Sequence, residues 1–355
     1  MDHFIIGIVI FGVILSAGCT DLAKTSSQPS EVLPKTNQTV IFTDFSGNLI
    51  QLSRPAERIV CIDGMESLAA MGAGNKIVGV GDYALQEPYL MKLLPNAVSV
   101  GGYNAANAEQ IINLHPDIVI AITTYPSTLD EKLKPAGIPV ARLDGYIIEK
   151  MPDYIRTLGK IIGNTTESQK YINYYQDYFD LVNSRLNAIP ESNYPKVYFE
   201  GSSPYSTVGK GSGGDSLIRT ARGRNIAGDL GSQWPTVSPE WVVQENPDVI
   251  IKVAYPDETV NASLSQIREA VMKRPGLSGT NAVKTGQVYI INEKVAYGNQ
   301  GIITLLYIAK CLYPGQFSDI DPKKELHNYA AMFLPGSDDL DAFYPDLGNN
   351  TSVMN

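Results

Sequence analysis

Side-chain catalysis requires nucleophiles, bases or metal ligands at workable spacing, and this chain offers few of them. Histidine occurs only at His3, His115 and His327. His115 immediately precedes Pro116, in what reads as a turn between a helix and a strand. No G-x-S-x-G, HExxH or CxxC is present, so neither Ser-His-Asp chemistry nor a zinc site has a basis in the sequence. Cys61 falls in a strand-like run and Cys311 in a helix-like one, the settings of packed thiols. Gly209-Lys210-Gly211-Ser212-Gly213-Gly214 spells GxGxxG. Its first glycine comes about nine residues after the strand ending near Glu200, too late to cradle a pyrophosphate in the strand-to-helix turn. Gly211 follows Lys210 where a Walker A loop needs Ser or Thr. Such a loop instead feeds a helix capped near Asp215 and lets backbone approach a ligand closely. The chain is expected to be no enzyme and to hold no resident cofactor or metal.

Binding chemistry is better supplied. The chain has 20 Tyr and 2 Trp, and Tyr83, Tyr103, Tyr125, Tyr205, Trp234, Tyr255 and Tyr297 sit in loops just after predicted strands. Ligands of α/β sheets lie at the carboxyl ends of strands, and aromatic faces hold large flat or amphipathic molecules at low entropic cost. Lys210, Arg222 and Arg224 fall in the same region and suit carboxylate, phosphate or catecholate groups. A net charge of −9 excludes a general nucleic-acid binder, which carries a basic face.

Two acids open copies of one phrase. Glu109 leads through six residues to Pro116-Asp117-Ile118-Val119-Ile120, and Glu240 leads through six to Pro247-Asp248-Val249-Ile250-Ile251. In each copy apolar residues at helical spacing (Ile111, Ile112, Leu114; Trp241, Val242, Val243) are stopped by the proline. The run that follows has no polar alternation and reads as a strand buried on both faces, as in a parallel sheet. An acid in the first turn of a helix is favoured by the macrodipole alone, so the pair is open to a purely structural reading. The same spacing in each half predicts two similar lobes with an exposed acid at matching places.

The elements around these units follow suit. Val40–Phe45 and Leu49–Leu52 flank Ser46-Gly47-Asn48 as a hairpin. Strand-like runs recur at 58–62, 77–80, 117–122, 140–143, 196–199, 249–253 and 288–291, with helical patterns between them. This alternation predicts an α/β fold of two Rossmann-like lobes with parallel sheets. Thr166-Glu167-Ser168-Gln169 matches a capping box, and Tyr171, Tyr175, Tyr178, Val182 and Leu186 recur at helical steps before Pro190. One helix over about 25 residues, roughly 37 Å, can join the lobes and permits only limited hinge motion. The expected organisation is leader 1–19, spacer 20–38, N-terminal lobe 39–163, connecting helix 164–190, C-terminal lobe 191–335 and acidic tail 336–355.

Residues 4–18 form an apolar run of signal-peptide length that ends at Cys19 and is too short for a comfortable span. Small residues before a cysteine resemble a lipoprotein processing site, with lipidation at Cys19. An uncleaved anchor is the other reading, and both place the body on the outer face of the cytoplasmic membrane. The Ser-, Thr-, Pro- and Lys-rich stretch after it suits a flexible spacer.

Several segments together resemble the solute-binding proteins of ABC importers for iron-siderophore complexes, haem and vitamin B12. They are Arg54-Pro55-Ala56-Glu57-Arg58-Ile59-Val60, Asn107 through Ile120, Gly209-Lys210 leading to Gly223-Arg224-Asn225-Ile226, and Trp234-Pro235-Thr236-Val237-Ser238-Pro239-Glu240. The resemblance covers about Thr39 to Phe333. It implies that Glu109 and Glu240 dock onto basic pockets of a permease, with its ATPase, and that a monomeric body carries a metal chelate between its lobes. The Trp234 segment, Tyr83, Tyr103 and Tyr205 are most similar to the vitamin B12-binding member. Leu306 through Pro314 is similar to iron-complex binders. A surface sensor or adhesion module on the same fold, without transport, is the alternative.

Overall fold

The computed structural model describes residues 38–86, 88–102 and 104–334. Cys19 and the leader, the spacer through residue 37, Tyr103 and the acidic tail lie outside the described residues. The described chain opens on an antiparallel hairpin of β1 (Val40–Thr43) and β2 (Leu49–Leu52), with Val40 opposite Leu52. Gly47 supplies the left-handed turn (φ 86°). The Asp44 carboxylate accepts the backbone N–H groups of Ser46, Asn48 and Arg142, tying the hairpin to the sheet beside it.

The strands that follow are β3 (Ile59–Cys61), β4 (Ile77–Val80), β5 (Val98–Ser99), the short ribbon β6 (Gly101–Gly102) and β7 (Ala105–Ala106), β8 (Ile118–Ala121) and β9 (Val140–Arg142). Five of them pair in parallel in the order β5-β4-β3-β8-β9. The second half supplies β10 (Lys196–Glu200), β11 (Arg224–Asn225), β12 (Val249–Ala254) and β13 (Val288–Asn292), parallel in the order β11-β10-β12-β13. In each sheet the first strand is central, with the second strand on one side; β5 adds an outer strand beside β4 in the first sheet, and without it the two orders coincide. The two lobes therefore share one topology. Strands β3, β4, β8, β9, β12 and β13 are buried at every residue, as their unbroken apolar runs require.

The repeated phrase becomes one structural unit in both lobes. Helix Ala108–Asn113 is capped by the Asn107 side chain, and helix Pro239–Glu245 by the Ser238 hydroxyl. Each helix runs antiparallel to the strands and must reverse before the next one. The reversal falls on the residue before the proline, His115 (φ 47°) and Asn246 (φ 48°), because the proline ring forbids continued right-handed helix there. The aspartate after the proline then fixes the adjacent strand. Asp117 accepts backbone N–H bonds from Glu57 (2.8 Å) and Arg58 (2.9 Å) and a guanidinium N–H from Arg54. Asp248 accepts the Lys196 N–H at 2.9 Å and the Asn281 amide. His115 is thus a turn residue.

One long helix, Thr165–Leu186, joins the lobes. At 22 residues it is about 33 Å long. Its cap is Asn164, two residues before the Thr166 cap the sequence pattern indicates, and it ends short of Pro190. Tyr171, Tyr175, Val182 and Leu186 are buried along one face, and the Tyr171 hydroxyl meets that of Tyr329 at 2.5 Å. Replacing Asp117 with Ala strands two backbone N–H groups at the head of the central strand. Urea unfolding is expected to show a loss of about 2 kcal/mol, and an unchanged midpoint would deny the carboxylate its stapling role.

Candidate ligand cleft between the lobes

The carboxyl ends of both sheets open onto one cavity of about 520 Å³. The first lobe contributes Asp63 after β3, Asn104 from the β6–β7 ribbon, Ile122 and Thr124 after β8, and Tyr146 after β9. The second contributes Gly201, Ser202 and Ser206 to Val208 after β10, Gly213 and Gly214, Trp234, Tyr255 and Tyr297. Trp234 stands at the mouth with 59% of its surface exposed. That is a large apolar ring presented to solvent beside a cavity, as a ligand platform would be.

Buried charge holds these loops in place. Lys252, at the end of β12, is 1% exposed. Its ammonium donates to Gly201 O (2.8 Å), Val253 O (2.6 Å) and Glu258 Oε2 (2.7 Å). It also lies 5.9 Å from the Tyr255 ring centre, behind the cleft wall. Glu200, fully buried, accepts from Arg274 (2.7 Å) and from the Tyr205 backbone N–H (3.1 Å). In the first lobe Arg142 bonds the carbonyls of Ile122, Tyr125 and Pro126 and pairs with Asp130. Three loops thus owe their shape to buried ions; Lys252 and Arg142 are met by carbonyls and carboxylates, and Glu200 is met at Oε2, while its Oε1 has no hydrogen-bond partner.

The floor is acidic because of a repeated Asp-Gly pair. Asp63-Gly64 follows β3, and Asp144-Gly145 follows β9. A Cβ at Gly64 would lie 1.7 Å from the Tyr154 hydroxyl oxygen, and one at Gly145 2.8 Å from the Tyr154 ring. Both turns pack on that single tyrosine, which only glycine allows. Asp144 is satisfied by the Thr123 N–H and hydroxyl, both at 2.9 Å. Asp63 stands at the cavity wall, where burial, with the negative charges of Glu66 and Asp144, pushes its carboxyl up to about 6 against the opposing hydrogen bonds of Tyr83 and the Gly64 backbone. Burial, then Asp144 and Asp63, likewise pushes the Tyr146 phenol up to about 12.

Of the residues singled out from the sequence, Trp234, Tyr255 and Tyr297 line the cavity. Tyr83 lines an adjoining chamber and donates to Ile62 O at 3.2 Å. The remaining ones are placed elsewhere. Tyr125 is buried, and its hydroxyl accepts the Ala106 N–H at 2.7 Å, so it braces the ribbon that carries Asn104. Tyr205, in a left-handed conformation (φ 65°), packs its ring under Arg274. Lys210 is exposed in the turn before helix Gly213–Thr220, which is capped by Ser212 and not at Asp215. Arg222 (φ 57°) caps the far end of that helix and reaches Asn183 on the connecting helix. Arg224 begins β11 opposite Lys196, at the amino end of the sheet and away from the cleft. Nothing in a linear pattern distinguishes a cation before a strand from one after it when the strand is two residues long.

Asp63, Tyr146, Lys252 and Glu200 were not picked out from the sequence. The rule applied to the tyrosines, position just after a strand, also selects Asp63 and Tyr146. Lys252 and Glu200 lie inside strands and carry no such mark.

Glu109 and Glu240 are both exposed and both second in their helices, immediately past the first residue after the cap. The Glu240 carboxyl is held below the usual carboxylate range by its own backbone N–H and then by the Ser238 hydroxyl. Because each helix descends before its strand ascends, both acids sit on the sheet edge where the cleft opens.

Residues 60–295 match the periplasmic binding protein family. The chain belongs to that family. This binding protein is similar to a cobalamin-binding protein of Halobacterium salinarum, 27% identical over 256 residues, 70% of this chain and 67% of that one. It is also similar to an uncharacterized ABC transporter substrate-binding lipoprotein, YvrC, of Bacillus subtilis, 25% identical over 325 residues, 88% of this chain and 97% of that one. Its fold is similar to that of the TroA-like periplasmic binding protein FepB from Veillonella parvula, with a TM-score of 0.68 and 24% identity over 83% of this chain and 96% of that one. Family membership makes it a solute-binding protein of the ABC-transporter class and not an enzyme. Among the described residues no helix is long and apolar enough to cross a membrane.

The raised Asp63 carboxyl gives a stability signature. The folded state holds this proton more tightly than the unfolded chain, so its stability contribution falls as pH rises from about 4 to about 6 and stays low above that. Asp63→Asn is expected to raise stability of the ligand-free protein at pH 7.5 by about 1–2 kcal/mol, with the gain gone near pH 4. Thermal melts at the two pH values check this, and an equal effect at both would contradict it.

Proposed function

We propose that this binding protein is the extracytoplasmic component of an ABC importer that carries a metal chelate between its lobes and hands it to the permease. The observation that carries the reading is the aromatic-walled cavity of about 520 Å³ sharing one sheet edge with the exposed acids Glu109 and Glu240. Trp234, Tyr255 and Tyr297 supply ring faces to the cargo, and the two carboxylates meet basic pockets on the permease. Among chelates a corrinoid comes first, since a protein similar to this one over 70% of this chain is a cobalamin-binding protein. Iron-siderophore complexes and haem complete the class. Residues 39–163 and 191–335 act as the two lobes around the connecting helix, with the body tethered outside the cytoplasmic membrane through Cys19 or an uncleaved leader.

Titration with cobalamins, ferric siderophores and haem is expected to quench Trp234 fluorescence for at least one of them, and silence across the panel would remove the binding reading. Reversing the docking charges with Glu109→Lys and Glu240→Lys is expected to cut cellular uptake by about tenfold or more, through like-charge contact with the permease, while chelate affinity of the purified protein is retained. Unchanged uptake would favour a sensor without transport.

A further inference from the structure

Beside the ligand cavity lies a side chamber of about 250 Å³. Asp63, Tyr146 and Tyr297 line both spaces and form the wall they share. The chamber adds Glu66, Glu293, Asn299 and Tyr83 to its walls. Among the described residues no Lys, Arg or His lines either space.

Lys252 is committed to two carbonyls and Glu258, and Arg274 to Glu200. Lys150 lies over the Phe45 ring and 4.0 Å from Asp144, which also accepts from Thr123. The ionisable side chains that line the two spaces are thus carboxylates and phenols, and low-polarity walls of tyrosine, Met65 and Leu90 strengthen any interaction their charge makes there.

The chamber is too small for a whole chelate and of a size for one arm. Glu66 accepts from Asn299 (2.9 Å) and Tyr89, which fixes it in the wall. Asp63 stands in the shared wall, and the burial and like charge that raise its proton affinity are offset when a donor or cation arrives there.

We propose that the side chamber is a subsite for an N–H-bearing, neutral or cationic arm of the ligand, accepted by Asp63, and that the same carboxylates reject anionic chelates. The inference rests on the reading that the cleft carries a metal chelate. It separates members of that class by charge. A corrinoid carries amide arms around a metal centre of positive charge, whereas a ferric tris-catecholate is strongly anionic and haem presents two propionates.

The test titrates wild type, Asp63→Asn, Glu66→Gln and the double variant with diaquocobinamide, cyanocobalamin, a ferric tris-catecholate and haemin, following Trp fluorescence at pH 7.5. Circular dichroism melts confirm that each variant folds. Wild type is expected to bind the two corrinoids and to leave the anionic chelates unbound. Asp63→Asn is expected to weaken cobinamide by about tenfold or more, and cyanocobalamin less. The double variant is expected to gain affinity for the tris-catecholate, a gain that mere damage to the site cannot produce. Unchanged cobinamide affinity in folded Asp63→Asn overturns the proposal. So does wild type that prefers the tris-catecholate or haemin, a result that leaves the chelate-import reading standing. Wild type that binds nothing in the panel overturns both.

Discussion

A carboxylate that accepts the first N–H groups of a neighbouring strand fixes each half of this protein. Asp117 does so at Glu57 and Arg58, just ahead of β3, and Asp248 at Lys196, the first residue of β10. Each aspartate follows a proline, and each proline ends a short helix through a left-handed residue, His115 or Asn246. Because the reversal is sharp, the helix lies directly against the strand it feeds, running the opposite way. The helix start and the strand end must then share one edge of the sheet. This constraint brings Glu109 and Glu240 to the same side of the molecule as the cavity.

The two sides of the cleft are tied together by interactions that cross between lobes. Glu149 pairs with Arg219 and accepts from the Ser216 hydroxyl at 2.8 Å. Asn299 bonds Ser67 and Glu66 in the first lobe while its carbonyl accepts the Tyr175 hydroxyl of the connecting helix at 2.7 Å. Gly213 brings helix Gly213–Thr220 so near the opposite wall that a Cβ would lie 2.8 Å from the Tyr146 carbonyl oxygen. With a single helix as the covalent link and polar bridges on both sides of it, these contacts oppose wide rigid-body opening.

Within that frame the polar and aromatic parts have separate tasks. Ions inside the lobes shape loops: Lys252, Glu200 with Arg274, and Arg142 each gather several backbone groups. Rings at the surface of the cleft supply contact area. Asp63 is the exception, a carboxylate kept at the cavity wall beside Glu66 and Asp144 at a cost to its charged form. Groups whose charge is disfavoured in the empty protein are common where a ligand is to be met, since the ligand can relieve what the fold does not.

Much of the fold was readable in the linear chain because it rests on local rules. Unbroken apolar runs gave the buried parallel strands, the repeated Glu-to-Pro-Asp spacing gave two like lobes, and a helical stripe of tyrosines gave the connecting helix. Short elements escaped: β5, β11 and the β6–β7 ribbon have two residues per strand, too few for any periodicity. The cleft was legible only in part. Position after a strand selected Trp234, Tyr255 and Tyr297, but it also selected Tyr125, whose ring turns inward to brace a loop, and Tyr205, which packs under Arg274. Arg222 and Arg224 looked close to the ligand because they are near in sequence to the glycine loop, while the fold carries them toward the amino end of β11 and the connecting helix. Sequence spacing thus determined which elements form and the edge on which their termini gather. Which side chains face the cavity, and that its floor is acidic and not basic, was decided only when both lobes packed on shared partners such as Tyr154 and Asn299, through contacts between residues far apart in the chain.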